Sequence, residues 1–253
     1  MITSKKIHPK TLILRFKKQN KNLIKSLDEN NIGFILLPLM SIKALESERI
    51  IKSINNISST DIFIFVSQNA VETSYKYLSF NNSKIVAIGP TTKSKIEKSG
   101  AKVNFCPKDN FTSENLLNSD FLKNVKNKNI TIVRGDTGRD KLRTELQIRG
   151  ANVKNLVTYK KIINELTSDE VNQLKYLIEN KKLEYIVVMS TELVANFITI
   201  LNSHNIKTEK LPTFIVPSHR ISEYIRKNIW GSKCIVTDDP RDEAIVNTLI
   251  EYL

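Results

Sequence analysis

Short, wholly apolar runs recur along the chain, each followed by a stretch whose apolar residues return at helical spacing. Leu12-Ile13-Leu14 comes first, and residues 18–30 carry Leu23, Ile24 and Leu27 on one face. Gly33 follows, where a left-handed helix stop is wanted. Phe34-Ile35-Leu36-Leu37 is the next run, closed by Pro38. Residues 62–66 form another, leading into a helical pattern over 69–78. Residues 84–88 end at Gly89-Pro90, before a helix to Lys98 with Gly100 as its stop. Residues 130–133 end at Arg134-Gly135, before a helix over 140–149 closed by Gly150. Residues 185–189 and 213–216 repeat the theme, and a last helix spans 242–252. Strands that are apolar throughout, alternating with helices, predict parallel sheets buried on both faces.

One pattern occurs twice. Phe65-Val66-Ser67-Gln68-Asn69-Ala70-Val71 ends a strand on a serine and opens a helix, and Val188-Met189-Ser190-Thr191-Glu192-Leu193-Val194 does the same. Each is followed by a strand that again ends in hydroxyl residues, at Thr91-Thr92 and at Ser218. The repetition predicts an α/β protein of two similar parallel-sheet domains. A ligand cleft would lie between the carboxyl ends of the two sheets. One domain combines residues 1–34 and 165–253. The other, inserted, spans 39–156, and 35–38 with 157–164 form the crossovers.

Composition narrows this picture only a little. The 253 residues suffice for two modest domains. No apolar run approaches the roughly 20 residues of a membrane span. The short run after the lysines of the first ten residues is a strand rather than a signal-peptide core, which predicts a cytoplasmic protein. Cys106 and Cys234 stand far apart with no CxxC partner, so two ordinary thiols are expected and no metal site. The formal charge of +13 favours an anionic partner weakly, because a chain rich in Lys, Asn and Ile together can carry lysines as drift on solvated faces.

Candidate chemistry concentrates where strands meet helices. The loop Arg134-Gly135-Asp136-Thr137-Gly138-Arg139 lets backbone N–H groups converge at a helix start, and Arg134, Arg139 and Arg143 can set guanidinium forks on carboxylates. It lacks the Gly-Lys-Ser/Thr of a Walker loop, and the bland alternative is a plain turn with solvated arginines. Ser67, Asn69, Thr91, Thr92, Ser190, Thr191 and Ser218 sit at strand ends. Any one of them alone is a helix cap. Together, in two domains, they suggest a polar lining that holds anions. Arg15, just after the first strand, is either a salt-bridged surface residue or a cation for that lining. Tyr159, at the presumed crossover, is either a packing residue or a positioned proton donor. The three histidines, His8, His204 and His219, lack metal-ligand spacing, and no paired carboxylates or GxSxG elbow stand out. An enzyme built on this chain would orient a reactive substrate and stabilise charge. No nucleic-acid motif or stacking series accompanies the basic residues.

Taken in order, several segments resemble the uroporphyrinogen-III synthase family. They are Leu12-Ile13-Leu14-Arg15, the Phe65–Val71 segment, Ala87-Ile88-Gly89-Pro90-Thr91-Thr92, Cys106-Pro107 with Thr112-Ser113-Glu114-Asn115-Leu116-Leu117, the 134–139 loop with Gly150-Ala151, and Tyr159. Val216-Pro217-Ser218-His219-Arg220-Ile221, with Trp230 beyond, resembles the proteobacterial branch. In the expected order, the segments span nearly the whole chain.

The resemblance implies a monomeric, cofactor-free lyase of haem biosynthesis, built of two α/β domains joined by a two-stranded connector with a cleft between them. Its substrate would be the linear tetrapyrrole hydroxymethylbilane, handed over by hydroxymethylbilane synthase. Loss of water gives an azafulvene, and a spiro intermediate inverts the last pyrrole before closure to uroporphyrinogen III. By the same resemblance Tyr159 assists the leaving hydroxyl. Arg15, Ser67, Asn69, Gly89, Thr91, Thr92, Arg134, Gly135, Arg139, Ser190 and Ser218 bind substrate. Where many relatives have a Gly and a Thr-Ala pair, this chain has Val216-Pro217-Ser218-His219-Arg220, and Ser190-Thr191-Glu192 replaces the commoner double serine. From the residues alone, a non-enzymatic anion-binding module of two α/β domains and a basic nucleic-acid-associated protein remain alternatives.

Overall fold

Each apolar run becomes a parallel strand whose successive residues enter cores on opposite faces. The computed structural model describes residues 2–3, 10–16, 21–57, 59–138, 140–239 and 241–253. The strands are β1 (Ile2–Thr3), β2 (Thr11–Phe16), β3 (Phe34–Ala44), β4 (Ile62–Phe65), β5 (Lys84–Ala87), β6 (Asn129–Gly135), β7 (Asn152–Ile163), β8 (Tyr185–Val188), β9 (Thr213–Val216) and β10 (Cys234–Val236). The helices are α1 (Lys21–Glu29), α2 (Ser47–Asn55), α3 (Gln68–Ser74), α4 (Pro90–Lys98), α5 (Ser113–Leu117), α6 (Lys141–Ile148), α7 (Ser168–Glu179), α8 (Thr191–Ser203), α9 (His219–Asn228) and α10 (Asp242–Tyr252). The chain divides into unit 1, Met1–Ser41 with Ile162–Leu253, and unit 2, Ile42–Lys161.

Unit 1 has the strand order β3-β2-β8-β9-β10. The ladders from β3 through β10 along this order are parallel, and β1 adds an antiparallel pairing to β3 at Ile2↔Leu36. Leu12, Leu14, Ile186 and Val188 share a core with Leu174, Phe197 and Ile221. Ile13 and Val187 point the other way, onto Leu23, Leu27, Ile245 and Leu249. This alternation is why wholly apolar strands are needed: both faces are covered by helices.

Unit 2 has the order β5-β4-β6-β7, again with parallel ladders. Ile62, Ile64, Ile130 and Ile132 pack on Leu116, Leu142 and Leu146. Phe63, Phe65 and Val133 pack on Ala70, Val71 and Ile96. With β1 left aside and the parallel strands of each unit numbered in chain order, both orders follow 2-1-3-4, with a fifth parallel strand in unit 1. That is a doubly wound arrangement whose direction reverses beside the first strand.

Several local details differ from the sequence pattern. β3 runs through Pro38 to Ala44 instead of ending at the proline. Between Leu14↔Leu37 and Phe16↔Met40 the register slips by one, so Pro38 sits in a bulge where its missing N–H is tolerated. After α1 the left-handed residue is Asn31 (φ 55°), not Gly33. Ile32 N–H there closes onto the Leu27 carbonyl at 2.9 Å, the long bond of a Schellman-type stop. Ser67, just past β4, opens α3, which stops at Ser74 and tightens into a 3-10 turn over Tyr75–Tyr77 instead of continuing as one helix to residue 78. Among the described residues no helix is long and apolar enough to cross a membrane.

Candidate active site

In an open α/β sheet the carboxyl ends of the strands flanking the reversal point are where backbone N–H groups converge on a ligand. In unit 2 these ends belong to β4 and β6. Ser67 follows β4 with extended backbone (φ −167°, ψ 158°), and its Oγ accepts the Ala70 amide at 3.1 Å. The hydroxyl thereby caps α3. Asn69 is half-buried in the first turn of that helix.

The 134–138 loop follows from β6. Arg134 is 8% exposed and turns inward. Its Nη1 donates to Asp140 Oδ1 at 2.8 Å, and its Nε donates to the Gly135 carbonyl at 3.3 Å. The guanidinium therefore braces the loop it belongs to. Gly138 needs its glycine twice over. Its φ is +133°, and a Cβ would lie 2.9 Å from Arg134 Nη2. Asp136, Thr137 and Gly138 are exposed. Arg139 lies outside the described residues. Arg143, on α6, is exposed.

Tyr159 comes from β7, one strand further. It is 6% exposed, and its Oη lies 3.1 Å from Ser67 Oγ. Its ring occupies the space a side chain at Gly135 would need: a Cβ there would meet Cε2 at 2.7 Å and Cζ at 2.8 Å. Its carbonyl accepts the Asp136 amide at 2.9 Å. Gly89 caps α4 against Phe111, Thr91 is exposed, and Thr92 is buried. Of the threonine pair, only Thr91 faces solvent.

In unit 1 the order reverses between β2 and β8. Ser190 follows β8 and caps α8 by accepting the Leu193 amide at 3.2 Å, with backbone angles close to those of Ser67. Arg15 lies near the end of β2, and its Nη1 is 2.7 Å from Asp242 Oδ1 in the first turn of α10. The two side chains are 14% and 23% exposed, so this is a largely enclosed charge pair, although Nη1 makes no well-aligned hydrogen bond in it. Ser218 is extended at the start of α9 and its hydroxyl makes no capping bond. Thr191 is half-buried.

Two cavities lie away from these strand ends. One of about 470 Å³ is lined by Ile54, Asp61, Phe63, Leu78 and Ser83, and one of about 320 Å³ by Ser59, Asn129 and Asn152. Both are lined by residues at the amino ends of the unit 2 strands, such as Asp61, Ser83, Asn129 and Asn152. Chemistry weighs more than volume here: N–H groups and hydroxyls gather at the opposite edge. Burial pushes the Cys106 thiol up, Glu97 adding to this and Lys93 opposing it, so it is a poor nucleophile. Among the described residues no group of three or more His, Cys, Asp or Glu side chains is arranged to hold a metal.

Sequence reasoning singled out Ser67, Gly135, Arg134 and Tyr159 separately, and the structure brings these four together. It missed Asp140 and Asp242, the carboxylates that hold Arg134 and Arg15. Only their helix-start positions hinted at them.

The family model described as uroporphyrinogen-III synthase HemD matches residues 21–247. A uroporphyrinogen-III synthase from Proteus mirabilis is 28% identical over 171 residues, covering 64% of this chain and 83% of that protein. Two solved structures share the fold. Uroporphyrinogen-III synthetase from Helicobacter pylori superposes with a TM-score of 0.64 at 16% identity, over 96% of this chain and 100% of its own. A mutant uroporphyrinogen III synthase from Thermus thermophilus gives 0.62 at 11% identity, over 96% and 97%. With the family pattern running from α1 into α10 and across both units, the chain belongs to the uroporphyrinogen-III synthase family.

Proposed function

We propose that this protein is a cyclising lyase that converts hydroxymethylbilane to uroporphyrinogen III, inverting the last pyrrole as water leaves. The family match over residues 21–247 carries this reading. The geometry of the strand ends supports it. A linear tetrapyrrole with acetate and propionate arms needs many weak anion contacts. Capped helix starts provide them through backbone amides without a fixed charge at every arm. In unit 2 the exposed Asp136-Thr137-Gly138 turn, Asn69, Thr91 and the start of α4 at Gly89 are the proposed contacts. In unit 1 they are the starts of α8 and α9, at Ser190 and Ser218. Arg139 is retained as a proposed contact from its place in the loop motif. Arg134 and Arg15 act from beneath these surfaces, each held by a carboxylate.

Tyr159 is the proposed acid for the leaving hydroxyl. The substrate loses water readily, so the enzyme's work is conformational: it holds the chain so that the inverted closure outruns the direct one. The protein is read as a cytoplasmic monomer that needs no cofactor and takes its substrate from hydroxymethylbilane synthase.

A product-isomer assay tests the function. Hydroxymethylbilane is supplied with and without the purified protein, and the oxidised porphyrins are separated by isomer. Spontaneous closure gives type I. The expected outcome is a protein-dependent switch to type III. Unchanged type I product from a folded sample would favour the anion-binding module instead.

A further inference from the structure

Ser67 and Tyr159 are 92 residues apart, yet their hydroxyls meet at 3.1 Å. Each is fixed independently of the other. Tyr159 is pinned because its ring fills the space beside Gly135, where even a methyl group would not fit. Ser67 is pinned because its Oγ accepts the Ala70 amide at 3.1 Å.

A hydroxyl has one proton and two acceptor sites. The Ala70 amide takes one acceptor site of Ser67, which leaves the Ser67 proton to be placed. Among the described residues, Tyr159 Oη is the acceptor that the structure offers it. We infer that Ser67 is a positioning residue for Tyr159: it donates its proton to the phenol oxygen and so leaves the phenol proton directed away from itself. The inference rests on the acid role proposed for Tyr159.

The step then balances as follows. The C–O bond of the substrate's hydroxymethyl group breaks, and its electron pair leaves with oxygen. The phenol proton joins that oxygen, and water departs. The substrate is left as a methylidene-pyrrole cation and Tyr159 as a phenolate. The Ser67 hydrogen bond is stronger to the phenolate than to the phenol, so it favours the charge-separated state. The proton lost from the pyrrole carbon on ring closure restores the phenol.

The experiment measures kcat and KM for type III formation in wild type, S67A, Y159F, the double variant and S67T, each checked for its melting transition. S67A is expected to lower kcat about tenfold while KM stays within about twofold, a loss made in the transition state rather than in substrate binding. Y159F is expected to lower kcat by up to ~100-fold. The double variant should match Y159F, because Ser67 has nothing left to position. S67T keeps both the cap and the donor and should recover most of the activity.

If S67A costs the same factor in the wild-type and Y159F backgrounds, Ser67 acts on its own and the inference is overturned. Wild-type kcat in S67A, or no recovery in S67T, overturns it while leaving Tyr159 as the acid. Wild-type kcat in Y159F removes the acid role and this inference with it. A type I product from the wild-type protein removes the synthase reading before either is reached.

Discussion

At the scale of single residues, the glycines of the 134–138 loop carry meanings that their flexibility alone does not explain. Gly135 exists to admit the Tyr159 ring, and Gly138 both adopts a left-handed φ and leaves room for Arg134. Gly135→Ala should therefore displace Tyr159. We expect about 1–3 kcal/mol of lost stability from overpacking, accompanied by a fall in kcat. Chemical denaturation and steady-state rates check the two effects together. If Gly135→Ala instead keeps wild-type kcat, Tyr159 does not need its observed position. Arg134 shows how the fold places a candidate side chain. In the sequence it is a candidate fork for substrate carboxylate. In the fold its guanidinium is 8% exposed and bonded to Asp140 and the Gly135 carbonyl. Which side an arginine faces is set by where a carboxylate is brought, and Asp140 is brought by the turn into α6.

At the scale of elements, helix starts do the main work. α3, α7 and α8 open on Ser67, Thr167 and Ser190, each accepting an amide three residues on, and Thr167 with Glu170 forms a full capping box. Ser190→Ala should cost ~1 kcal/mol, the usual loss of an N-cap bond. Urea denaturation checks this, and an unchanged midpoint would mean that the α8 start is held by packing alone. Thr167 was not singled out in the sequence, whereas the caps at Ser67 and Ser190 were legible there because a hydroxyl residue directly before an apolar helical pattern is a local signal. β10 and the length of β3 were not. β10 is short and half-buried, and β3 passes a proline that normally closes a strand, which a bulge makes harmless.

At the scale of the whole chain, unit 1 is made from the first and last stretches of sequence, and α10 shares a core with Ile13 of β2. The Arg15–Asp242 pair ties the two stretches at 2.7 Å with little exposure. Asp242→Asn keeps the shape but strands a poorly solvated guanidinium. We expect a loss of ~1–3 kcal/mol, more than a surface pair would give. Thermal and urea unfolding measure it, and a loss under about 0.5 kcal/mol would class the pair with exposed ones.

The sequence by itself determined the class of fold. Apolar runs of strand length, helical spacing between them and hydroxyl caps after them are local, and each follows from burying both faces of a sheet while satisfying helix amides. It also determined which strand ends carry polar residues, because that pattern repeats in the chain. The tertiary structure alone decided which of those residues meet. Ser67 with Tyr159, Gly135 with the phenol ring and Arg15 with Asp242 are pairs separated by 92, 24 and 227 positions. Their encounter depends on strand order and register, and no local signal encodes either.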